Sequence, residues 1–219
     1  MAPAPDLLPL FPLPDQVLLP GVPAPFRIFE PRYLALIADL KQLPEDERWL
    51  AVPRLARGWE NNYEGNPAFH PVVAPARLVH VRDLAQGQYL IVVQGEGRVV
   101  LSEETSHLPY RIARSEPLPD EPAEMPAAAL AGAVDHLITR VRLLARRNGA
   151  AAEQIDQLAA AIGPGPELIE RLAAVLITDP DVRQSYLECL TLDGRVTLFR
   201  QVVEGALGPG AQGWNFSRN

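Results

Sequence analysis

Apolar positions change their spacing part-way along the chain. Up to about residue 115 they come in short runs broken by Pro and Gly. Several of these runs alternate with polar positions at period two, the spacing that turns one strand face toward a core. Leu7 to Leu13 and Val17 to Leu19 read as short extended pieces whose prolines confine them to sheet edges or strand ends. Ala76 to Val81 and Tyr89 to Gln94 read as paired strands joined through Asp83–Gln88, where Gly87 supplies the turn. Val99 to Leu101 and Tyr110 to Ala113 extend the sheet. One helix interrupts this half, Pro31 to Leu40, with Pro31 in its first turn and Leu34, Ile37 and Leu40 on one face. The spacing also directs Phe29 into the core of the β half.

Beyond Pro126 the period becomes helical. Leu130, Val134, Leu137, Ile138, Val141 and Leu144 follow the three-four pattern, and Arg146, Arg147 and Gly149 form a C-terminal signature. A second helix carries Ile155, Leu158 and Ile162 and stops at Gly163. A third starts near Pro166. Thr178 or Asp179 is placed to cap a fourth across Pro180, and Asp193 to cap a fifth. Between the halves, Glu116–Pro126 holds four prolines and four acids and reads as a semi-rigid connector. The expected organisation is α+β: a mainly-β subdomain over 1–116, a connector over 117–125, an α-helical bundle over 126–207 and a flexible tail over 208–219.

Composition excludes several classes. Hydrophobic residues at 47% and charged residues at 21% are those of a folded chain, not a disordered one. A single cysteine, Cys189, forbids an internal disulfide framework, and its place on an apolar helix stripe reads as an inert core thiol. The net charge of −7 opposes a nucleic-acid or acidic-membrane surface. The first residues lack the basic start of an export signal, and no apolar stretch of about 18 residues is present, which together predict a cytoplasmic location.

The search for catalytic machinery is short. Lys41 is the sole lysine, and it sits in a helix, so neither a Walker-type phosphate loop nor a Ser–Lys dyad fits. Gly95-Glu96-Gly97 begins like a dinucleotide fingerprint, but a strand follows it and not a helix, so a bulge or kink is expected. The four histidines are scattered, with no second His or Cys at metal-ligand spacing. No catalytic residue, cofactor or metal is expected.

Two stretches carry a family pattern. Leu8-Pro-Leu-Phe-Pro-Leu-Pro-Asp-Gln-Val-Leu-Leu-Pro-Gly21, followed by Phe26-Arg-Ile-Phe-Glu-Pro-Arg-Tyr33, resembles the opening of the amino-terminal, substrate-binding domain of the ATP-dependent Lon proteases. Arg57 to Pro67 resembles the GWE-x-x-YEG-x-P loop of short bacterial proteins that consist of a Lon-type domain alone. The resemblance covers about residues 7–207 and implies a PUA-like β-barrel followed by a helical bundle, without the ATPase and peptidase domains. It departs at Val72-Val73-Ala74, where the family usually has a Val-Gly pair and often a Cys.

The resemblance implies a non-enzymatic module that binds unfolded or partner proteins, with weak and promiscuous affinity, through barrel–bundle grooves or sheet-edge addition. Candidate contact residues are Glu30, Arg32 and Tyr33 in the first motif, with Trp59, Glu60, Tyr63 and Glu64 in the second. Glu30 sits at a helix start and within reach of Arg32. Trp59 and Tyr63 lie in a polar segment that no strand or helix period requires. Deleting residues 54–69 is expected to abolish binding without unfolding the bundle. Two alternatives stay open: an enzyme of unrecognised type, or RNA binding through arginines such as Arg54 and Arg57, Arg77 and Arg82, or Arg140 to Arg147.

Overall fold

The computed structural model describes residues 4–147, 151–163 and 166–208; the expected Gly149 stop and the tail beyond Gly208 lie outside them. The chain divides into two compact units, Met1–Pro119 and Asp120–Asn219.

The first unit contains two four-stranded antiparallel sheets and one α-helix. In chain order the elements are β1 (Leu7–Pro9), β2 (Pro23–Ile28), α1 (Pro31–Lys41), β3 (Trp49–Ala51), β4 (Val72–Val73), β5 (Pro75–Asp83), β6 (Tyr89–Gly95), β7 (Val99–Glu104) and β8 (Ile112–Pro117). One sheet runs β1-β8-β7-β4 and the other β2-β6-β5-β3. After β1 the chain leaves β8 and runs parallel to the end of β3. Leu10 bridges Ala51, Leu13 bridges Arg54, and the Phe11 N–H donates to the Ala51 carbonyl at 2.8 Å. That shared segment joins the two sheets: Leu8 and Leu10 are buried in one apolar cluster with Trp49, Ala51, Val73, Val99, Leu101 and Ala113, and Leu50, Ile91 and Val93 are also fully buried.

Proline and glycine act here through specific geometry. The Val22 carbonyl accepts from Gly95, so alternate residues of β2 bond toward β6 and Pro23 and Pro25 take the outward positions. The free edge of β2 therefore lacks two donors at the places where a further strand would pair. Gly95 is required by space: a Cβ there would lie 2.6 Å from the Leu19 carbonyl oxygen. Gly97, at φ +61°, makes the turn into β7. The Gly-Glu-Gly segment is thus a strand-to-strand turn, as its following strand predicts.

Helix α1 buries Tyr33, Leu36, Ile37 and Leu40, the i, i+3, i+4, i+7 face. Leu34, assigned to that face from sequence, is only half-buried. Phe29 is a correction. Strand β2 ends at Ile28, which is 2% exposed, so the next side chain falls on the opposite side, and Phe29 is 60% exposed.

The second unit is helical: α2 (Ala127–Arg147), α3 (Ala151–Ile162), α4 (Pro166–Leu176), α5 (Pro180–Glu188) and α6 (Leu192–Leu207). Helix α2 packs on α3 and α6, and α4 on α3 and α6, burying Leu137, Val141, Ile169, Phe199 and Val203. Asp179 caps α5, its carboxylate accepting from the Asp181 and Val182 N–H groups. The cap of α6 is Thr191, which accepts from Gly194, and not Asp193. Asp193 lies inside the first turn and accepts from the Met125 N–H at 2.9 Å. Cys189 follows the last residue of α5 and is half-buried, its thiol directed to the Thr191 carbonyl, so it is not on a core stripe.

Buried Arg195 and Glu170, with the half-exposed Asp120, form an ion cluster in this unit. Arg195 is 2% exposed and meets Glu170 at 3.1 Å and Asp120 at 2.8 Å, and it also donates to the Cys189 and Leu190 carbonyls. Asp120 and Glu121, read from sequence as connector, are tied to the helices: the Glu121 N–H donates to the Leu190 carbonyl. Among the described residues no helix is long and apolar enough to cross a membrane.

Candidate functional site

The first helix of the β unit starts in an unusual way. Glu30 occupies the N-cap position in extended conformation, followed by Pro31, yet its side chain makes no capping bond. The carboxylate is taken up by two other groups. Oε2 accepts from Arg32 Nε at 3.1 Å and from an Arg32 terminal nitrogen at 2.9 Å, and Oε1 accepts from the Tyr63 hydroxyl at 2.8 Å. Arg32 lies between two rings, 4.7 Å from the Tyr33 centroid and 4.9 Å from that of Tyr63, and donates to the Tyr63 carbonyl. Trp59 sets its ring against Tyr63 edge-to-face, centroids 5.6 Å apart.

Residues 30–33 and 59–63 are far apart in sequence, and one carboxylate and one guanidinium join them. The Trp59–Asn61 turn is entered through Gly58 at φ +90°, a conformation open to glycine. Glu60 is exposed on that turn, and Trp59 and Tyr63 are half-buried. The end of the same loop is held by Arg111, which pairs with both Glu103 oxygens at 2.6 and 2.7 Å. Arg111 also donates to the Pro67 carbonyl and lies 5.0 Å from the Phe69 ring centroid.

Between the two arginine clamps is an open cleft of about 550 Å³, lined by Arg32, Tyr33, Glu64, Asn66, Tyr110 and Arg111. Tyr33 serves mainly the core: it is 4% exposed and packs on Phe11 with centroids 4.6 Å apart. Tyr110 donates to Asp39 at 2.7 Å. Burial, and for Tyr63 and Tyr110 a carboxylate acceptor, pushes all three phenols upward, so they stay protonated donors. The site offers phenol, indole and guanidinium surfaces beside exposed carboxylates, which is recognition chemistry. Among the described residues no three His, Cys, Asp or Glu side chains gather to hold a metal ion.

The structure thus brings together Glu30, Arg32, Tyr63 and Trp59, sets Tyr33 and Glu64 on the adjoining cleft, and leaves Glu60 on the exposed turn. Arg111 and Tyr110 escape a sequence reading because they lie just before a strand, and their partners are distant: Pro67 for Arg111, 44 residues away, and Asp39 for Tyr110, 71 residues away. The loop is also not separable from the fold. Leu55 is 3% exposed and bridges Phe69, and the His70 N–H donates to the Arg54 carbonyl. Deleting residues 54–69 would open the β unit, so point substitutions are the usable probe.

Comparison with known proteins follows the same outline. The chain is 28% identical over 202 residues to the Lon protease of Anaeromyxobacter dehalogenans, spanning 91% of itself but 23% of that protein. It is 28% identical over 117 residues to Lon protease 2 of Myxococcus xanthus, 53% of this chain and 14% of that one. The chain therefore spans about a quarter or less of the length of these curated relatives. The N-terminal domain of the Mycobacterium avium complex Lon protease superposes with a TM-score of 0.70 at 14% identity, covering 90% of this chain and 98% of that one. A Lon N-terminal domain protein from Xanthomonas campestris does so with a TM-score of 0.54 at 20% identity, covering 92% and 96%. These two likenesses establish the fold. The family model for the ATP-dependent protease La (LON) substrate-binding domain matches residues 7–203, and the chain belongs to that family.

Proposed function

We propose that this chain is a non-catalytic, cytoplasmic protein-binding module that engages segments of unfolded or partner polypeptides. The observation that carries the reading is the Glu30–Arg32–Tyr63–Trp59 constellation. It holds amphipathic aromatic groups in place ahead of contact, which lowers the entropy lost on binding. The family's description as a substrate-binding domain supports the same reading.

The test uses a permanently unfolded, reduced and alkylated protein carrying a fluorescent label. Anisotropy with the wild-type chain should rise to saturation. The Trp59→Ala, Tyr63→Ala double variant should bind about tenfold more weakly with an unchanged circular dichroism spectrum. Equal affinity of the two proteins would remove this site from the reading.

A nucleic-acid reading has less to stand on. Arg77 pairs with Glu96, Arg140 with Glu204 and Arg142 with Asp156, while Arg147 donates to the Leu207 carbonyl. Those arginines already have acceptors that phosphates would have to displace.

A further inference from the structure

A second surface of the β unit, separate from the Trp59 loop, has its own chemistry. Of the seven large apolar side chains exposed among the described residues, three, Leu7, Leu43 and Leu108, border two adjoining hollows. The hollows measure about 520 and 340 Å³ and share Leu7, Pro9, Leu40 and Leu43. Their floor is the outer face of β1 with the last turn of α1. Asp39, Asp46 and Glu47 line the hollows, and among the described residues no Lys, Arg or His does.

The cations around the groove are engaged with other groups: Arg114, opposite Leu7 on the same sheet face, bonds Glu104 at 3.2 Å. Lys41 bonds Asp83 at 2.9 Å, and Arg48 donates to the Leu43 and Lys41 carbonyls. The groove is therefore an apolar trough whose one end carries the exposed acids Asp46 and Glu47, while Asp39 accepts from the Tyr110 hydroxyl. Proline at position 9 removes an N–H from the outward edge of β1, so an occupant would be held through side chains more than through added strand pairing.

We propose that this groove takes an extended polypeptide segment in which aliphatic side chains are followed closely by Arg or Lys. The aliphatic groups would cover Leu7, Leu43 and Leu108, and the cation would meet Asp46 and Glu47. The inference rests on the protein-binding reading above and adds to it a substrate class and an adjoining surface, which meets the first cleft at Leu108 and Tyr110. It assigns the acids a selecting role: a segment bearing Glu in place of Arg would bury like charges against the rim and be rejected.

The experiment compares two labelled peptides, acetyl-Gly-Leu-Val-Leu-Arg-Arg-Gly and the same peptide with both Arg replaced by Glu. The wild-type chain should bind the first at least about tenfold more tightly, and the preference should shrink at high salt. Asp46→Lys with Glu47→Lys should reverse the preference, and Leu43→Ser with Leu108→Ser should weaken both peptides. These four residues are exposed enough to change without disturbing the core. Equal binding of both peptides, or an unchanged preference in the Lys variant, overturns the proposal. If neither peptide binds while the unfolded protein of the previous test does, the groove assignment falls and the protein-binding reading stands. If neither peptide nor protein binds, both fall.

Discussion

The Tyr63 hydroxyl can donate to Glu30 only while it keeps its proton. Burial and the adjacent carboxylate raise its pKa above the ordinary 10, so the folded state holds this proton more tightly than the unfolded chain does. The stabilisation is complete below pH 10 and is lost as pH rises through the folded value. Subtracting the phenolate absorbance titration of Tyr63→Phe from that of the wild type isolates this group. Its midpoint should lie above 10 and fall toward 10 in Glu30→Gln. Glycine 95 gives a second test at this scale. Gly95→Ala drives a methyl into the Leu19 carbonyl and should cost about 1–3 kcal/mol in urea unfolding. Phe29 shows the limit of reading residues singly. Alternation says which residues share a face but not which face is inward, and here Ile28 takes the core side and leaves Phe29 outside.

At the scale of elements, the strands and helices could be read from period and punctuation because both act over neighbouring residues. Gly163 stops α3 at φ +81°, and Asp179 caps α5. The cap expected at Asp193 falls instead on Thr191, a residue of equally good capping type two positions earlier. The Asp193 carboxylate is claimed by the Met125 N–H, a partner 68 residues away, which leaves the cap to Thr191. The Arg195 cluster shows the same limit. Nothing in the local pattern of α6 marks Arg195 as interior, because its acids come from Asp120 and α4. Arg195→Met should cost about 3–5 kcal/mol by leaving Glu170 buried without its cation. Arg195→Met with Glu170→Leu should recover most of that loss, read from denaturant midpoints at constant slope. The Glu30–Arg32 pair was legible because its members are two residues apart, whereas the Arg111 clamp on Pro67 depends on tertiary pairing.

For the whole molecule, charge decides behaviour toward pH and partners. Glu204 is held below the ordinary 4.5 by its bond to Arg140, so that pair supports the fold above this value. The support fades as pH falls through the lower, folded value, and unfolding measured from pH 7 to 3 should show a shallower acid decline in Glu204→Gln. The net charge of −7 also predicts that single-stranded RNA leaves the chain unshifted in a native gel at moderate salt.

The two prolines on the outer edge of β2 acquire a meaning at this scale. If the chain binds unfolded segments as proposed above, it would bring close to its own sheets the material from which fibrils grow. With Pro23 and Pro25 facing outward, a captured chain finds no continuous ladder there to extend. Under the proposed binding role, a bound segment could be held without the holder becoming its seed.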